Sequence, residues 1–303
     1  MSTMPRRSFI ATSAAGIMVT ASALASAQSS QATAVKTGFA PVNGLKMYYE
    51  IYGAGEPLVL LHGGVGSTEN FSAILPSLSK TRQVIVVDLQ AHGRTADIDR
   101  PLRYETMADD VAALIQYLRI EKADVIGYSL GGGVALRTTI QHPGLVKRLI
   151  VISAVFKRDG WYPEIVAGMS QMGTGAAEPM KQTPMYQIYA RIAPRLADWP
   201  VLLTKLGELL RQDYDWSKEV AAIQAPTLLV FGDADAVRTA HAVQFFELLG
   251  GGKKDAGWDG SGMSKARLAI LPGVTHYNVF SSPVLASTVT TFLDAPMPGR
   301  TGH

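Results

Sequence analysis

The chain has 303 residues, 47% of them apolar and 17% charged, and no cysteine. That length suffices for one large α/β domain or two average ones, and the missing cysteine excludes disulfides, thiolate metal sites and a cysteine nucleophile. The formal charge of +3 falls to +1 once Arg6 and Arg7 are set aside, which leaves no electrostatic case for nucleic acid or an anionic membrane.

In chain order the first feature is MPRRSFIATSAAGIMVTASALASAQ, residues 4–28. Two arginines, a weakly apolar stretch and Ala25-Ser26-Ala27 have the layout of a cleaved secretory signal, expected over residues 1–27. Arg6-Arg7 followed by Ser8-Phe9-Ile10 resembles the twin-arginine export motif, which implies a periplasmic or secreted bacterial protein. A short membrane anchor is the alternative. No other stretch is long and apolar enough to span a bilayer, so no membrane association is expected after cleavage.

GLKMYYEIYG (44–53) predicts an early strand closed by glycine, and PLVLLHGG (57–64) one buried on both faces. Ser67-Thr68 can start a helix carrying Phe71, Ile74, Leu75 and Leu78. QVIVVDL (83–89) is another buried strand, and 106–120 an amphipathic helix with Met107, Val111, Leu114, Ile115 and Leu118 on one side. ADVIGYS (123–129) reads as a strand, and a helix from about Leu130 to His142 ends at Pro143-Gly144. VKRLIVISA (146–154), APTLLVFGD (225–233) and ARLAILPG (266–273) complete the strands. Strand alternating with helix predicts an α/β fold with a doubly wound, mostly parallel sheet.

Between Val155 and Ile223 the rhythm breaks. The interval holds Trp161, Trp199, Trp216 and several tyrosines and methionines, without a convincing buried strand. A helical insertion over the carboxyl edge of the sheet is expected. Residues 249–267, rich in glycine with scattered charge, read as a solvated surface loop. The expected layout is a core of residues 28–154 and 223–296, a helical cap of 155–222 and a tail of 297–303.

The chemistry centres on Gly127-Tyr128-Ser129-Leu130-Gly131. A serine hydroxyl is a weak nucleophile that needs exposure at a fixed angle, a base and donors for the oxyanion. G-x-S-x-G between a strand and a helix places the serine on a tight turn, and the glycines let backbone pass where a Cβ would clash. A serine merely capping the helix is the competing role. Leu61-His62-Gly63-Gly64-Val65-Gly66 leaves amides unobstructed at a strand end; Gly64, with Val65 as its neighbour, is the expected first oxyanion donor and the N–H of Leu130 the second. A phosphate loop is excluded because no Gly-Lys-Ser/Thr follows.

Of six histidines, His276 stands a few residues past the last strand, in triad order after Ser129, and is the expected base. His62 and His92 sit on loops near the sheet edge and are expected to organise backbone. The orienting acid should follow the strand at 225–233, which offers Asp233 and Asp235. Only one of them should reach His276; Asp235 is taken as the acid and Asp233 as a turn-former. A metal site from the same pair is disfavoured, since no histidine pair or further acid lies close in sequence. Neither a metal nor a cofactor is expected.

Together these residues resemble the α/β-hydrolase superfamily over roughly 40–154 and 223–294, with the insertion in the position of that family's cap. Asp88 to Thr95 resembles the family's D-x-R-G-x-G-x-S loop, with Gln90 and Ala91 in place of the usual Arg and Gly. The resemblance implies a serine hydrolase with Ser129 as nucleophile, His276 as base and Asp235 as acid, acting on a small-molecule ester. Serine at the elbow counts against the aspartate-dependent haloalkane dehalogenases and epoxide hydrolases, whereas lactonases and carbon–carbon bond hydrolases share the triad. A non-catalytic ligand-binding member is the rival of another class. Tyr128, Val65, Trp161 and Trp199 are candidates to touch an apolar substrate, or else to pack the cap. Arg191 and Arg195 are either a substrate-carboxylate site or a solvated helix face.

Overall fold

The computed structural model describes residues 34–296; the expected export signal and the C-terminal tail lie outside the described residues. One eight-stranded sheet has the order β1-β2-β4-β3-β5-β6-β7-β8. The strands are β1 (Lys36–Val42), β2 (Leu45–Tyr52), β3 (Glu56–Leu61), β4 (Arg82–Val87), β5 (Ala123–Tyr128), β6 (Val146–Ile152), β7 (Thr227–Ala234) and β8 (Ala266–Thr275). The pairs from β4 through β8 are parallel, while β1 pairs with β2 and β2 with β4 antiparallel.

β1 is the strand that the sequence reading misses. Its run KTGFAPV lies at the sheet edge, mostly exposed, and carries Gly38 and Pro41, both depleted in strands. The available signal was Asn43-Gly44, whose φ values of 47° and 84° form the two-residue turn that matches strand twist.

Helices cover both faces. On one, α2 (Tyr104–Tyr117) and α3 (Leu130–Gln141) bury Met107, Val111, Leu114, Val134 and Leu136 against alternate residues of the strands. On the other, α1 (Leu75–Leu78) and α10 (Leu285–Asp294) bury Leu75, Leu78, Leu285, Val289 and Leu293. The helix expected after Ser67 splits into a 3₁₀ turn, Thr68–Phe71, and α1, whose first turn holds Pro76. Phe71, Ile74, Leu75 and Leu78 are nonetheless all buried, as their spacing predicts.

Residues between β6 and β7 form α4 (Pro163–Ser170), α5 (Ala177–Met180), α6 (Pro184–Ile192), α7 (Trp199–Leu210) and α8 (Ser217–Ala221). Proline in the first turn starts α4, α6 and α7, a position where its missing N–H costs nothing. α7 is the inner helix, with Leu202, Leu203, Leu206 and Leu209 buried. It is tied to the loop after β4 by Lys205, whose ammonium donates to Asp97 Oδ2 at 2.6 Å and to the carbonyls of Ile98 and Arg100 at 2.8 Å. After β7, α9 (Thr239–Leu248) leads into the glycine-rich loop before β8, where Trp258 is exposed.

Backbone packs very closely where β5 turns into α3. A Cβ on Gly127 would stand 2.0 Å from the carbonyl oxygen of Gly131, and one on Gly131 would stand 2.2 Å from that of Leu61 and 2.5 Å from that of His62. Since backbone cannot give way as a side-chain end can, Gly131→Ala is expected to cost more than about 3 kcal/mol. Gly144→Ala, with nothing within 4 Å of the added methyl, should stay within about 0.5 kcal/mol of the parent. Thermal unfolding of the two variants side by side checks the contrast; equal melting temperatures would contradict it.

Candidate active site

Ser129 stands between β5 and α3 with φ 52° and ψ −116°, a backbone conformation that L-residues rarely hold. Its N–H donates to Ile152 O at 3.0 Å and its carbonyl accepts from Gly133 at 3.1 Å, which pins both sides of the turn. Its side chain makes no capping bond to α3, so the hydroxyl is left for other partners.

That partner is His276, just past β8. The Nδ1–H of His276 donates to Asp235 Oδ1 at 3.0 Å, and its Nε2 accepts from Ser129 Oγ at 3.1 Å. Asp235, just past β7, is fully shielded from solvent at its side chain. Val237 N–H also reaches its Oδ1, at 3.2 Å, while Ser153 Oγ–H and Gly232 N–H reach its Oδ2. Burial alone would raise the carboxyl pKa, but the bond and charge of His276, with the bonds from Ser153 and Gly232, outweigh it and hold the group below its ordinary value. Asp233 faces elsewhere. Its Oδ1 accepts the amides of Gly273 and Val274 at 2.8 and 3.2 Å, which fastens the bend of β8 that carries His276.

Opposite the imidazole, the loop after β3 brings Gly63 so close that a Cβ there would stand 3.3 Å from Ser129 Cβ. Among the described residues, no hydrogen-bond acceptor pairs with the N–H of Gly64, Val65 or Leu130. Val65 in the same loop also holds a positive φ, 52°. The loop is fixed from beneath by His62, whose Nε2 accepts from Leu89 N–H at 3.1 Å, leaving Nδ1–H to donate to Gly63 O at 2.7 Å. His92 lies beside it, ring centroids 5.0 Å apart, with Nδ1 on Gln90 O and Nε2 buried without a partner. Burial, with His92 adjacent, lowers the His62 pKa to about 3, and burial lowers that of His92 to about 4. Both imidazoles are neutral.

Asp88 was legible only as part of a loop resembling the family's. Its buried carboxylate accepts Thr68 N–H and Arg94 N–H, each at 2.7 Å, and so staples the loop after β3 to the loop after β4. Ser153 left no signal in the sequence, because only the fold brings it to Asp235.

The candidate substrate contacts divide. Trp161 is buried with its ring edge-on to His276, centroids 5.5 Å apart. Leu206 of α7, which the sequence reading passes over, lies 3.3 Å from where a Cβ of Gly64 would be. One expected contact is corrected. Trp199 is 1% exposed, with Nε1–H on Ala177 O at 3.0 Å and its ring against Tyr186 and Tyr189, so it packs the helical segment internally. Tyr128, half-buried, directs its hydroxyl to the carbonyl of His276 at 2.7 Å, where it braces the histidine's loop. Arg191 pairs with Glu69, and Arg195 with Asp198 and the carbonyl of Asp97. Among the described residues no group of three or more His, Asp or Glu side chains could hold a metal ion, and no helix is long and apolar enough to cross a membrane.

A family model described as "alpha/beta hydrolase fold" matches residues 56–288. AB hydrolase superfamily protein YisY of Bacillus subtilis (strain 168) is 30% identical over 213 residues, which are 63% of this chain and 78% of that protein. The sn-1-specific diacylglycerol lipase ABHD11 of Danio rerio is 39% identical over 117 residues, 37% of this chain and only 36% of that relative's length. Among solved structures, the enol-lactonase from Burkholderia xenovorans LB400 superimposes with a TM-score of 0.64 at 21% identity, covering 85% of this chain and 100% of the other. At that identity the likeness speaks for the fold alone.

The neutral buried histidines carry a pH dependence of stability. An unfolded histidine titrates near 6.5, whereas His92 in the fold takes up its proton only at about pH 4. Between those values the unfolded chain binds the extra proton, so stability falls as pH drops through the window. Asp88 and Asp124, raised to about 6 by burial, act in the opposite direction there, so a variant comparison isolates the histidine. The stability of His92→Phe relative to the parent should rise by up to about 1.4 kcal/mol for each pH unit lowered across the window. Urea midpoints of both proteins from neutral to mildly acid pH measure it, and a constant difference would sink the assignment of a neutral imidazole.

Proposed function

The chain belongs to the alpha/beta hydrolase family, and from that premise we propose that it cleaves carboxylic esters of small to medium, apolar substrates through an acyl-enzyme on Ser129. The observation that carries the reading is the unbroken chain Asp235–His276–Ser129, set against amides of Gly64 and Leu130 that have no acceptor among the described residues.

The mechanism follows from that arrangement. His276 Nε2 takes the Ser129 proton as Oγ attacks the ester carbonyl, while Asp235 stabilises the imidazolium and holds its tautomer. The Gly64 and Leu130 N–H groups receive the developing oxyanion; a single such donor is typically worth ~10²–10³ in turnover. His276 then protonates the leaving alcohol, and water attacks the acyl-enzyme by the same path. Ser129 is half-buried. Read with the export signal expected over residues 1–27, the reaction would run in the periplasm or outside the cell.

An uncharged substrate is supported by where four cations of the helical segment and the loop after β4 are committed. A carboxylate-bearing substrate needs a cation to offset its desolvation. Arg191, Arg195, Lys205 and Arg94 are each already paired with an acid of the chain, and Leu206 lies beside Gly64 and Trp161 beside His276. A lactone, being a cyclic ester, would use the same groups.

The test is hydrolysis of a p-nitrophenyl ester series from short to long acyl chains, with Ser129→Ala beside the parent. Activity should fall on the order of 10⁴-fold or more in the variant, and the chain-length optimum sizes the acyl site. Turnover of lactones or vinylogous diketones in place of esters would move the chain to those classes, and ligand binding without turnover would make it a binding protein. Leu206→Ala should shift the optimum toward longer acyl chains, at a cost of roughly 2–5 kcal/mol in stability from the lost core packing.

A further inference from the structure

We infer that Ser153 is a positioning residue of this site: its buried hydroxyl holds Asp235 in the orientation that receives the Nδ1–H of His276. The inference rests on the reading of Ser129, His276 and Asp235 as a catalytic triad. Ser153 is the first residue beyond β6 and is fully buried. Its N–H donates to Val230 O at 2.9 Å, which extends the β6–β7 pairing one residue past the strand end. Its Oγ–H donates to Asp235 Oδ2 at 2.5 Å, across 82 residues of sequence, and no other partner for that hydroxyl occurs among the described residues.

Two features make the hydroxyl the purpose of this position. The first is the backbone. Ser153 holds φ 50°, a conformation that penalises any residue with a Cβ and that glycine adopts freely. Glycine would serve the turn better; what serine adds is a donor. The second is the geometry of the carboxylate. The terminal torsion of an aspartate is broad and two-fold, so burial by itself does not decide which oxygen faces His276. Oδ1 is held by His276 and Val237, and Oδ2 by Ser153 and Gly232. Without the hydroxyl, Oδ2 keeps one amide and the plane of the carboxylate can swing. A tilted carboxylate tilts the imidazole, and the 3.1 Å approach of Nε2 to Ser129 Oγ is lost with it.

The experiment compares Ser153→Gly, Ser153→Ala and Ser153→Thr with the parent. It measures kcat and KM on the preferred p-nitrophenyl ester, the rate at which a fluorophosphonate probe labels Ser129, and the melting temperature. Ser153→Gly relieves the backbone and removes the donor. Its melting temperature should equal or exceed that of Ser153→Ala, while kcat and the labelling rate fall roughly tenfold, the scale of one hydrogen bond to a charged group. KM should stay within about twofold, since no substrate contact is removed. Ser153→Thr restores the donor on a β-branched residue at positive φ, so it should melt lower yet recover most of the rate lost in the glycine variant.

Parental kcat and labelling rate in Ser153→Gly would overturn the inference. So would rates that follow melting temperature across the series, with threonine slowest, because that is the signature of a structural role alone. Should threonine fail to fold, the glycine and alanine variants decide the matter by the same criterion. A parent that labels at Ser129 but hydrolyses no ester would overturn the ester reading, and the labelling rates would still judge Ser153. A parent that does neither removes the triad and this inference together.

Discussion

Three stretches of backbone meet beneath Ser129 with no side chain between them: the end of β5, the first turn of α3 and the end of β3. The Cβ positions of Gly127 and Gly131 fall 2.0 Å and 2.2 Å from carbonyl oxygens of the facing segments, so the approach exists only because both residues are glycine. This contact sets the entry of α3, holds Ser129 at its strained φ and brings the loop of Gly63 and Gly64 beside the hydroxyl. A helix that started one residue later or stood farther from β3 would leave the serine facing solvent with no donors opposite.

Around that contact, buried carboxylates join loops that the sheet merely brings near one another. Asp88 ties the loops after β3 and β4, and Asp235 ties the ends of β6 and β7 to the histidine after β8. Their electrostatic fates differ for a physical reason. Burial dominates at Asp88, whose pKa rises to about 6 despite two amide donors. At Asp235 a histidine, a hydroxyl and backbone amides together outweigh burial and keep the carboxyl below its ordinary value. An anionic group beside an imidazole can hold its tautomer and stabilise its charged form.

The helical segment between β6 and β7 contributes walls and fastenings. Lys205, Arg191 and Arg195 bind it to loops of the core, and these long cations lie against acids and carbonyls. Two of its apolar side chains, Trp161 and Leu206, reach the histidine and the glycine loop. Trp199, equally apolar and more deeply buried, packs against its own segment instead. Composition cannot separate those placements, since an indole buried beside His276 and one buried among its own helices are the same residue to a hydropathy pattern.

Much of this was legible in the linear chain because it is local. Continuous apolar runs mark strands covered on both faces, the glycine spacing around Ser129 marks a turn that only glycine permits, and the order of serine, acid and histidine follows the order of strands. The edge strand β1 was not read, since Gly38, Pro41 and exposed alternate residues weaken its pattern. Long-range geometry lies beyond sequence spacing altogether. That Asp235 and not Asp233 meets His276 depends on which way a side chain leaves the end of β7. That Tyr128 braces the His276 carbonyl, and that Ser153 meets Asp235, depends on three strand ends lying side by side. The sequence determined the fold class, the turn and the candidates for the chemistry, because each follows from local sterics and burial. Tertiary structure alone decided their partners, because a hydrogen bond needs a distance near 3 Å and only the packed sheet brings residues so far apart in sequence that close.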